Sequence, residues 1–263
     1  ASMCLLAIAF NQHPNAPLIV ASNRDEFYAR PTLPMHWWQD APILAGRDQQ
    51  ANGTWMGLSR NGRFAAVTNY RYVPEGGAIE TAPLSRGDLV TDFLSSSQNA
   101  SQWAQSIAAT AENFGGFNLL IYDGTELVYL NNHNDEQPKI LPSGLYALSN
   151  GAVDSPGPKF EHASDQLRTV IDQPEMGSAQ LGQIMATLSL EKTYAPELLP
   201  NTGVPEDWEK LLSSPFIVAD GYGTRASAAV IVSSAGDIDV AEQNYQAGET
   251  LGGQTFRFNA SER

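Results

Sequence analysis

Short apolar runs in this sequence come in pairs, and each pair is joined by residues suited to a tight reversal. That arrangement commits the chain to antiparallel strand pairing. Residues 5–10 and 17–22 flank the polar connector Asn11-Gln12-His13-Pro14-Asn15. Residues 54–59 and 63–70 flank Asn61-Gly62, and residues 117–122 and 126–130 flank Asp123-Gly124; both dipeptides adopt the positive φ of a two-residue hairpin turn. Residues 216–219, 227–233 and 238–242 read as a further meander turning at Ala235-Gly236.

Helical periodicity fills the gaps. Residues 84–95 carry Leu89, Val90, Phe93 and Leu94 on one face, and Ser85 with Asp88 suits a capping box. Residues 101–111 repeat the spacing through Trp103, Ala104, Ile107, Ala108 and Ala111, and residues 159–171 through Phe160, Ala163, Leu167, Val170 and Ile171. Residues 179–190 give a shorter fourth helix, and the Pro-rich, polar residues 194–208 a long loop or lid. Strand pairs alternating with pairs of helices are not βαβ units. They predict an α+β fold of antiparallel sheets stacked face to face with helices outside. No repeat and no composition shift divides the chain, so residues 1–263 are expected to form a single domain.

Charge narrows the partners. Fifteen Lys and Arg against 29 Asp and Glu leave a net charge of −14, which repels phosphate backbones and anionic lipid. Nucleic acid and membrane are therefore not expected as partners. No run approaches the roughly 20 apolar residues of a membrane span. The single cysteine excludes an internal disulfide, and the start lacks a basic leader, so a cytoplasmic location is expected. There is no paired Cys, no His-x-x-x-His and no Asp-rich calcium loop, so neither a metal site nor a cofactor is expected.

Ala1-Ser2 reads as a tag remnant ahead of an initiator Met3. Trimming that methionine makes Cys4 the N-terminal residue. A free α-amino group has a pKa of about 7.7–8.0, so it can accept the thiol proton without a histidine. Ser22-Asn23-Arg24-Asp25-Glu26 closes the second apolar run. Arg24 in a strand beside Cys4 would favour the thiolate, and Asp25 would orient the arginine or the ammonium. Asn69 ends another apolar run and is a candidate donor to an oxyanion. Asn150 closes the run before Gly151, and Arg225, in Tyr222-Gly223-Thr224-Arg225-Ala226-Ser227, opens one. Which of Asn23, Arg24 and Asp25 meets Cys4 stays open. Trp55 and Tyr70, with Trp37 and Trp38, are candidates for an apolar acyl pocket, and Asn23 and Thr224 for polar contacts to substrate.

These segments resemble the signature of the NRDE family, also called the transport and Golgi organisation protein 2 family. The resemblance rests on Ser22-Asn23-Arg24-Asp25-Glu26-Phe27 with Arg30-Pro31, Ala45-Gly46-Arg47-Asp48, Gly53-Thr54-Trp55-Met56-Gly57, Thr68-Asn69-Tyr70-Arg71, Leu148-Ser149-Asn150-Gly151 and Tyr222-Gly223-Thr224-Arg225. One departure is Asn52, where the family usually has glycine. A more distant resemblance joins the hairpin through Asn61-Gly62 to the choloylglycine hydrolase and penicillin V acylase family. It implies a four-layer αββα N-terminal-nucleophile hydrolase fold and cleavage of linear amides. It matches Cys4 to the nucleophile, Asn69 to the oxyanion donor, Asn150 to the asparagine near the α-amine and Arg225 to the late arginine. Those acylases space their Arg and Asp three apart, whereas Arg24 and Asp25 are adjacent.

The expectation is a cysteine amidohydrolase acting on a small molecule with an N-acyl bond. Its rival is a carrier of haem, or of a lipid-like ligand, on the same fold; haem handling and Golgi organisation are both linked to the family. His13, His36, His133 and His162 are the available axial ligands. The sequence does not fix the substrate or the oligomeric state.

Overall fold

The computed structural model describes residues 3–71, 82–133 and 137–260. In chain order the strands and helices begin with β1 (Met3–His13), β2 (Ala16–Phe27), β3 (Thr32–Trp37), β4 (Ile43–Asp48), β5 (Met56–Ser59) and β6 (Phe64–Asn69). Helices α1 (Arg86–Ser95) and α2 (Ala100–Ala108) precede β7 (Phe117–Tyr122), β8 (Leu127–Asn131), β9 (Lys139–Ile140) and β10 (Gly144–Leu148). Then come α3 (Pro158–Ile171), α4 (Leu181–Ala186) and α5 (Glu206–Leu212), followed by β11 (Tyr222–Val232), β12 (Asp237–Gln246) and β13 (Glu249–Asn259).

The chain divides into two compact units, one built from residues 1–29 and 143–258, the other from residues 30–142 and 259–263. The first holds a six-stranded sheet in the order β10-β1-β2-β11-β12-β13. Its strands β1 and β2 pair antiparallel with each other, and respectively with β10 and β11. Alternation along the strands sends Leu5, Ala7, Ala9, Ile19, Ala21, Ala229 and Ile231 to one side, where they bury against Ala163 and Leu167 of α3 and Leu181 and Ile184 of α4. The second unit holds a seven-stranded sheet in the order β3-β4-β5-β6-β7-β8-β9, antiparallel throughout. Ala65, Val67, Phe117, Leu119 and Ile121 pack on Leu89, Val90, Phe93 and Leu94 of α1 and on Trp103 of α2. Each unit is thus one antiparallel sheet with helices on one face, the α+β layering that the periodicities predict.

The turns are where they were expected. Gly62 and Gly124 stand at φ 87° and 101°. Asn52, in place of the family's glycine, stands at φ 59°, a left-handed conformation that asparagine tolerates better than most residues.

Several boundaries differ from expectation. β2 does not stop at residue 22 but continues through the polar signature to Phe27, because β1 supplies partners as far as Asp25 and β11 as far as Phe27. Ser85 makes no side-chain cap, and its carbonyl instead accepts from the Asp88 backbone N–H, so the expected capping box is absent. Helix α2 is capped by Asn99, whose side chain accepts from the Gln102 N–H at 2.8 Å. The expected helix over residues 179–190 shortens to Leu181–Ala186, the strand at residues 216–219 reduces to a single bridge between Val218 and Gly223, and α5 lies across the end of the expected loop. Strands β3, β4, β9 and β13 had no expectation. No helix among the described residues is long and apolar enough to cross a membrane.

Candidate active site

Strand alternation divides the polar signature of β2 between two faces. Leu5 lies opposite Asn23, and Leu5 belongs to the α3/α4 core, so Asn23 and Asp25 point toward the helices. Cys4 lies opposite Arg24, and both, with Glu26, point to the other face. Cys4 is 4% exposed and Arg24 is 2% exposed. Arg24 Nη2 stands 3.8 Å from Glu26 Oε2, and Glu26 Oε1 accepts the Phe27 N–H at 2.9 Å. A fully buried guanidinium is tolerable only with an anion beside it, and Glu26 is that anion.

The helix-side pair is held differently. Asn23 is 0% exposed and donates from Nδ2 to both the Leu188 and Pro215 carbonyls at 2.9 Å, while its Oδ1 accepts from Ser227 Oγ at 2.7 Å. It therefore ties together the two ends of residues 189–214. Asp25 accepts from Thr224 Oγ1 at 2.6 Å, and Thr224 is further fixed by exchanging hydrogen bonds with the Ile217 backbone. Burial is the main influence on Asp25. It pushes the carboxyl up to about 7, against the Thr224 hydroxyl and the charges of Lys159 and Arg24, with Glu26 adding to the rise.

Two further sequence candidates lie in this unit. The β1–β10 register sets Leu6 opposite Leu148, and Asn150 follows two residues beyond the end of β10. Asn150 is buried, and its Oδ1 accepts from Ser149 Oγ at 3.2 Å. Arg225 is the extra residue of a bulge, since Thr224 lies opposite Asp25 and Ala226 opposite Arg24. Its Nη1 donates to the Phe27 carbonyl at 2.9 Å. Thus Cys4, Asn23, Arg24, Asp25, Thr224 and Arg225 lie at the paired ends of β1, β2 and β11, on both faces of the sheet, with Asn150 just past the end of β10.

Asn69, Trp55 and Tyr70 belong to the second unit. Asn69 is the last residue of β6, half-buried, opposite Phe117. The Trp55 carbonyl accepts the Val67 N–H at 2.8 Å, and its ring fills the space over Gly46, where a Cβ would overlap it. Tyr70 stacks on His133 with ring centroids 4.4 Å apart.

Lys159 and Ser149 were not anticipated. Lys159 Nζ donates to Ser149 Oγ at 3.4 Å and to the Leu212 carbonyl at 2.9 Å. A sequence signal existed: a lysine in the first turn of a helix opposes the helix dipole and needs another reason to be there. Among the four histidines, His13 has both ring nitrogens engaged, Nδ1 by the Asn15 N–H and Nε2 by the Gln173 carbonyl at 2.8 Å. His36 Nδ1 lies 2.8 Å from the Pro34 carbonyl. Among the described residues, no three His, Cys, Asp or Glu side chains gather closely enough to hold a metal ion.

Comparison with known proteins adds to this picture. The sequence profile of the family described as "Transport and Golgi organisation 2" matches residues 3–247. The "Transport and Golgi organization protein 2 homolog" of Bos taurus is 28% identical over 260 residues, covering 92% of this chain and 93% of its own. The Homo sapiens homologue of the same description matches to the same extent. Among solved structures, a mutant of the conjugated bile acid hydrolase from Clostridium perfringens superposes with a TM-score of 0.51 at 10% identity, over 98% of this chain and 97% of its own. That likeness shows the fold alone, an α+β arrangement of antiparallel sheets and helices.

Proposed function

Since this chain belongs to the Transport and Golgi organisation 2 family, whose signature here places Arg24 across from Cys4, we propose that it is a cysteine N-terminal-nucleophile hydrolase cleaving the N-acyl amide bond of a small molecule. The observation that carries the reading is the buried pairing of Cys4 with Arg24 across β1 and β2. A neighbouring cation favours thiolate over thiol. On this reading Cys4 becomes the first residue.

The α-amine then takes the thiol proton, and Sγ bonds to the substrate carbonyl carbon. The amine passes its proton to the leaving nitrogen as the C–N bond breaks, leaving a thioester on Cys4. Water gives its proton to the same amine and attacks the thioester, which releases the acid and restores the thiol. Asn23 and Thr224 contribute by holding the strand ends rather than through free valences, since their polar atoms are directed at Leu188, Pro215, Ser227, Ile217 and Asp25.

The test compares the chain beginning at Cys4 with the chain that retains Ala1-Ser2-Met3, in which the Cys4 nitrogen is an amide. Both are offered a panel of N-acyl amides and activated acyl esters, and acyl adducts are located by mass spectrometry. Adducts on Cys4 and turnover are expected only where the amine is free. Equal turnover in both chains removes the amine as base, and absence of any Cys4 adduct removes the nucleophile.

A further inference from the structure

We propose that a cleft beside the Asn61-Gly62 turn of the second unit binds a small oxyanion, a carboxylate or a phosphate monoester on a short apolar body, with the Arg60 guanidinium as its main contact. The inference is independent of the hydrolase reading, since every residue it uses lies in the second unit.

The cleft holds about 290 Å³, and its lining includes Pro42, Arg60, Asn61, Leu94, Ser95 and Ser97. That volume lies at the lower edge of the roughly 300–1,000 Å³ of small-molecule pockets, so only a small ligand fits. Pro42 and Leu94 give it an apolar wall. Among the described residues that line it there is no carboxylate, in a chain whose net charge is −14. Asp40, two residues before Pro42, is taken by Arg47 at 2.8 and 2.9 Å. Arg60 is exposed, and its Cζ stands 3.7 Å from the centroid of the Trp37 ring. Among the described residues it has no acidic partner. A guanidinium held over an aromatic ring keeps its N–H groups for an acceptor, and their planar fork matches two oxygens of a carboxylate or phosphate.

The neutral groups add donors. Ser59 Oγ accepts the Arg63 N–H at 3.0 Å and gives its one proton to Asn61 Oδ1. With that oxygen turned to Ser59, Asn61 presents its amide N–H bonds on the other branch of the side chain. Ser95 and Ser97 are exposed and bring two rotatable hydroxyls. One feature opposes an anion: α1 ends at Ser95, and a helix C-terminus carries roughly half a negative charge. Arg60 carries a whole positive charge, and Arg63, just after the turn, supplies a second. Arg63 is 6% exposed, stands with Cζ 4.0 Å from the Phe93 ring centroid and donates from Nη2 to the Gln98 carbonyl at 2.7 Å. Its buried Nε has no hydrogen-bond partner among the described residues. The balance of charge favours an anion.

The test titrates the full chain, labelled with nitrogen-15, with phenyl phosphate, benzoate and phenol at constant ionic strength. NMR follows the Arg60 Nε–H, the Asn61 side-chain amide and the backbone amides of residues 95–97. One or both anions are expected to shift these resonances to saturation at millimolar concentration, and the one that saturates first identifies the preferred oxyanion. Phenol, the same ring without the anion, is expected to leave them in place. Arg60→Met removes the charge and is expected to weaken binding about tenfold or more. Arg60→Lys keeps the charge without the fork and is expected to weaken it less. Arg60→Gln replaces the methionine variant should that one not fold. Absence of saturation by both anions, equal saturation by phenol, or parent affinity in Arg60→Met overturns the site.

Discussion

At the scale of single residues, the signature Asn23-Arg24-Asp25-Glu26 is two pairs rather than one motif. Arg24 and Glu26 share a face with Cys4, and Asn23 and Asp25 share the helix face. Each pair yields a prediction. Arg24→Gln should slow alkylation of Cys4 by a neutral thiol reagent at neutral pH by about tenfold, with the rate recovered as the pH is raised. An unchanged rate would separate the guanidinium from the thiol. Asp25 gives a pH dependence whose sign is opposite to that of a carboxylate held ionised by a salt bridge. Its folded value is raised to about 7, above the unfolded value near 3.9, so between those limits the folded state holds a proton that the unfolded state has released. Stability from this group is therefore present in full at low pH and lost as pH rises toward 7 and through it. Asp25→Asn keeps an acceptor for Thr224 and should flatten that part of the stability–pH curve, as read by urea unfolding at a series of pH values. An equally steep decline in both proteins would place the effect elsewhere. The sequence offered these residues and, with its first two strands read as a hairpin, a place for Arg24 beside Cys4, but it left open which of Asn23, Arg24 and Asp25 meets the thiol. Their sorting by face was not legible, because the signature was taken for the end of a strand, and only a continuing strand imposes alternation on it.

At the scale of elements, the readable parts were those with an apolar run or period. The hairpins at Asn61-Gly62 and Asp123-Gly124 stand within a few residues of expectation because their strands are continuous apolar runs, buried on both faces, broken by turn residues; helices α1, α2 and α3 do so because each buries one side. The extension of β2 is buried on both faces and polar, so it carries no period; what builds it is β1, as far as Asp25, and β11, about 200 residues away in the chain. Strand β13 is mostly exposed and gives no apolar stripe to read. Lys159 was hidden because its partners Ser149 and Leu212 come from outside its helix. The long excursion over residues 189–214 is tied at its base by Asn23. Asn23→Ala leaves the Leu188 and Pro215 carbonyls and the Ser227 hydroxyl without that side chain. It should cost about 1–3 kcal/mol of stability. Limited proteolysis should then cut first within residues 189–214, and a cleavage pattern identical to the parent's would show that the excursion is held by other contacts.

At the scale of the whole molecule, the sequence carries no repeat that marks the division into units, and both are built from antiparallel layers of the same kind. The first unit is also discontinuous: residues 30–142 are inserted between its two segments. Strands β1 and β2 are internal to its sheet, between β10 and β11. A chain lacking residues 1–29 therefore splits that sheet rather than trimming its edge. It should lose the cooperative unfolding transition of the first unit and bind hydrophobic dyes, as followed by circular dichroism and dye fluorescence. A native-like transition in that truncated chain would contradict the strand order.

The internal position of β1 and β2 also sets a timetable. Residues 4 and 24 leave the ribosome early, yet the strand that flanks them, Tyr222–Val232, is translated about 200 residues later. At roughly 5–20 residues per second, that interval is on the order of 10–40 s. Throughout it the leading segment waits without its final neighbours, open to the aminopeptidases that work on nascent chains. Any maturation that frees the nitrogen of Cys4 has this co-translational window in which to act, before the finished sheet closes over it.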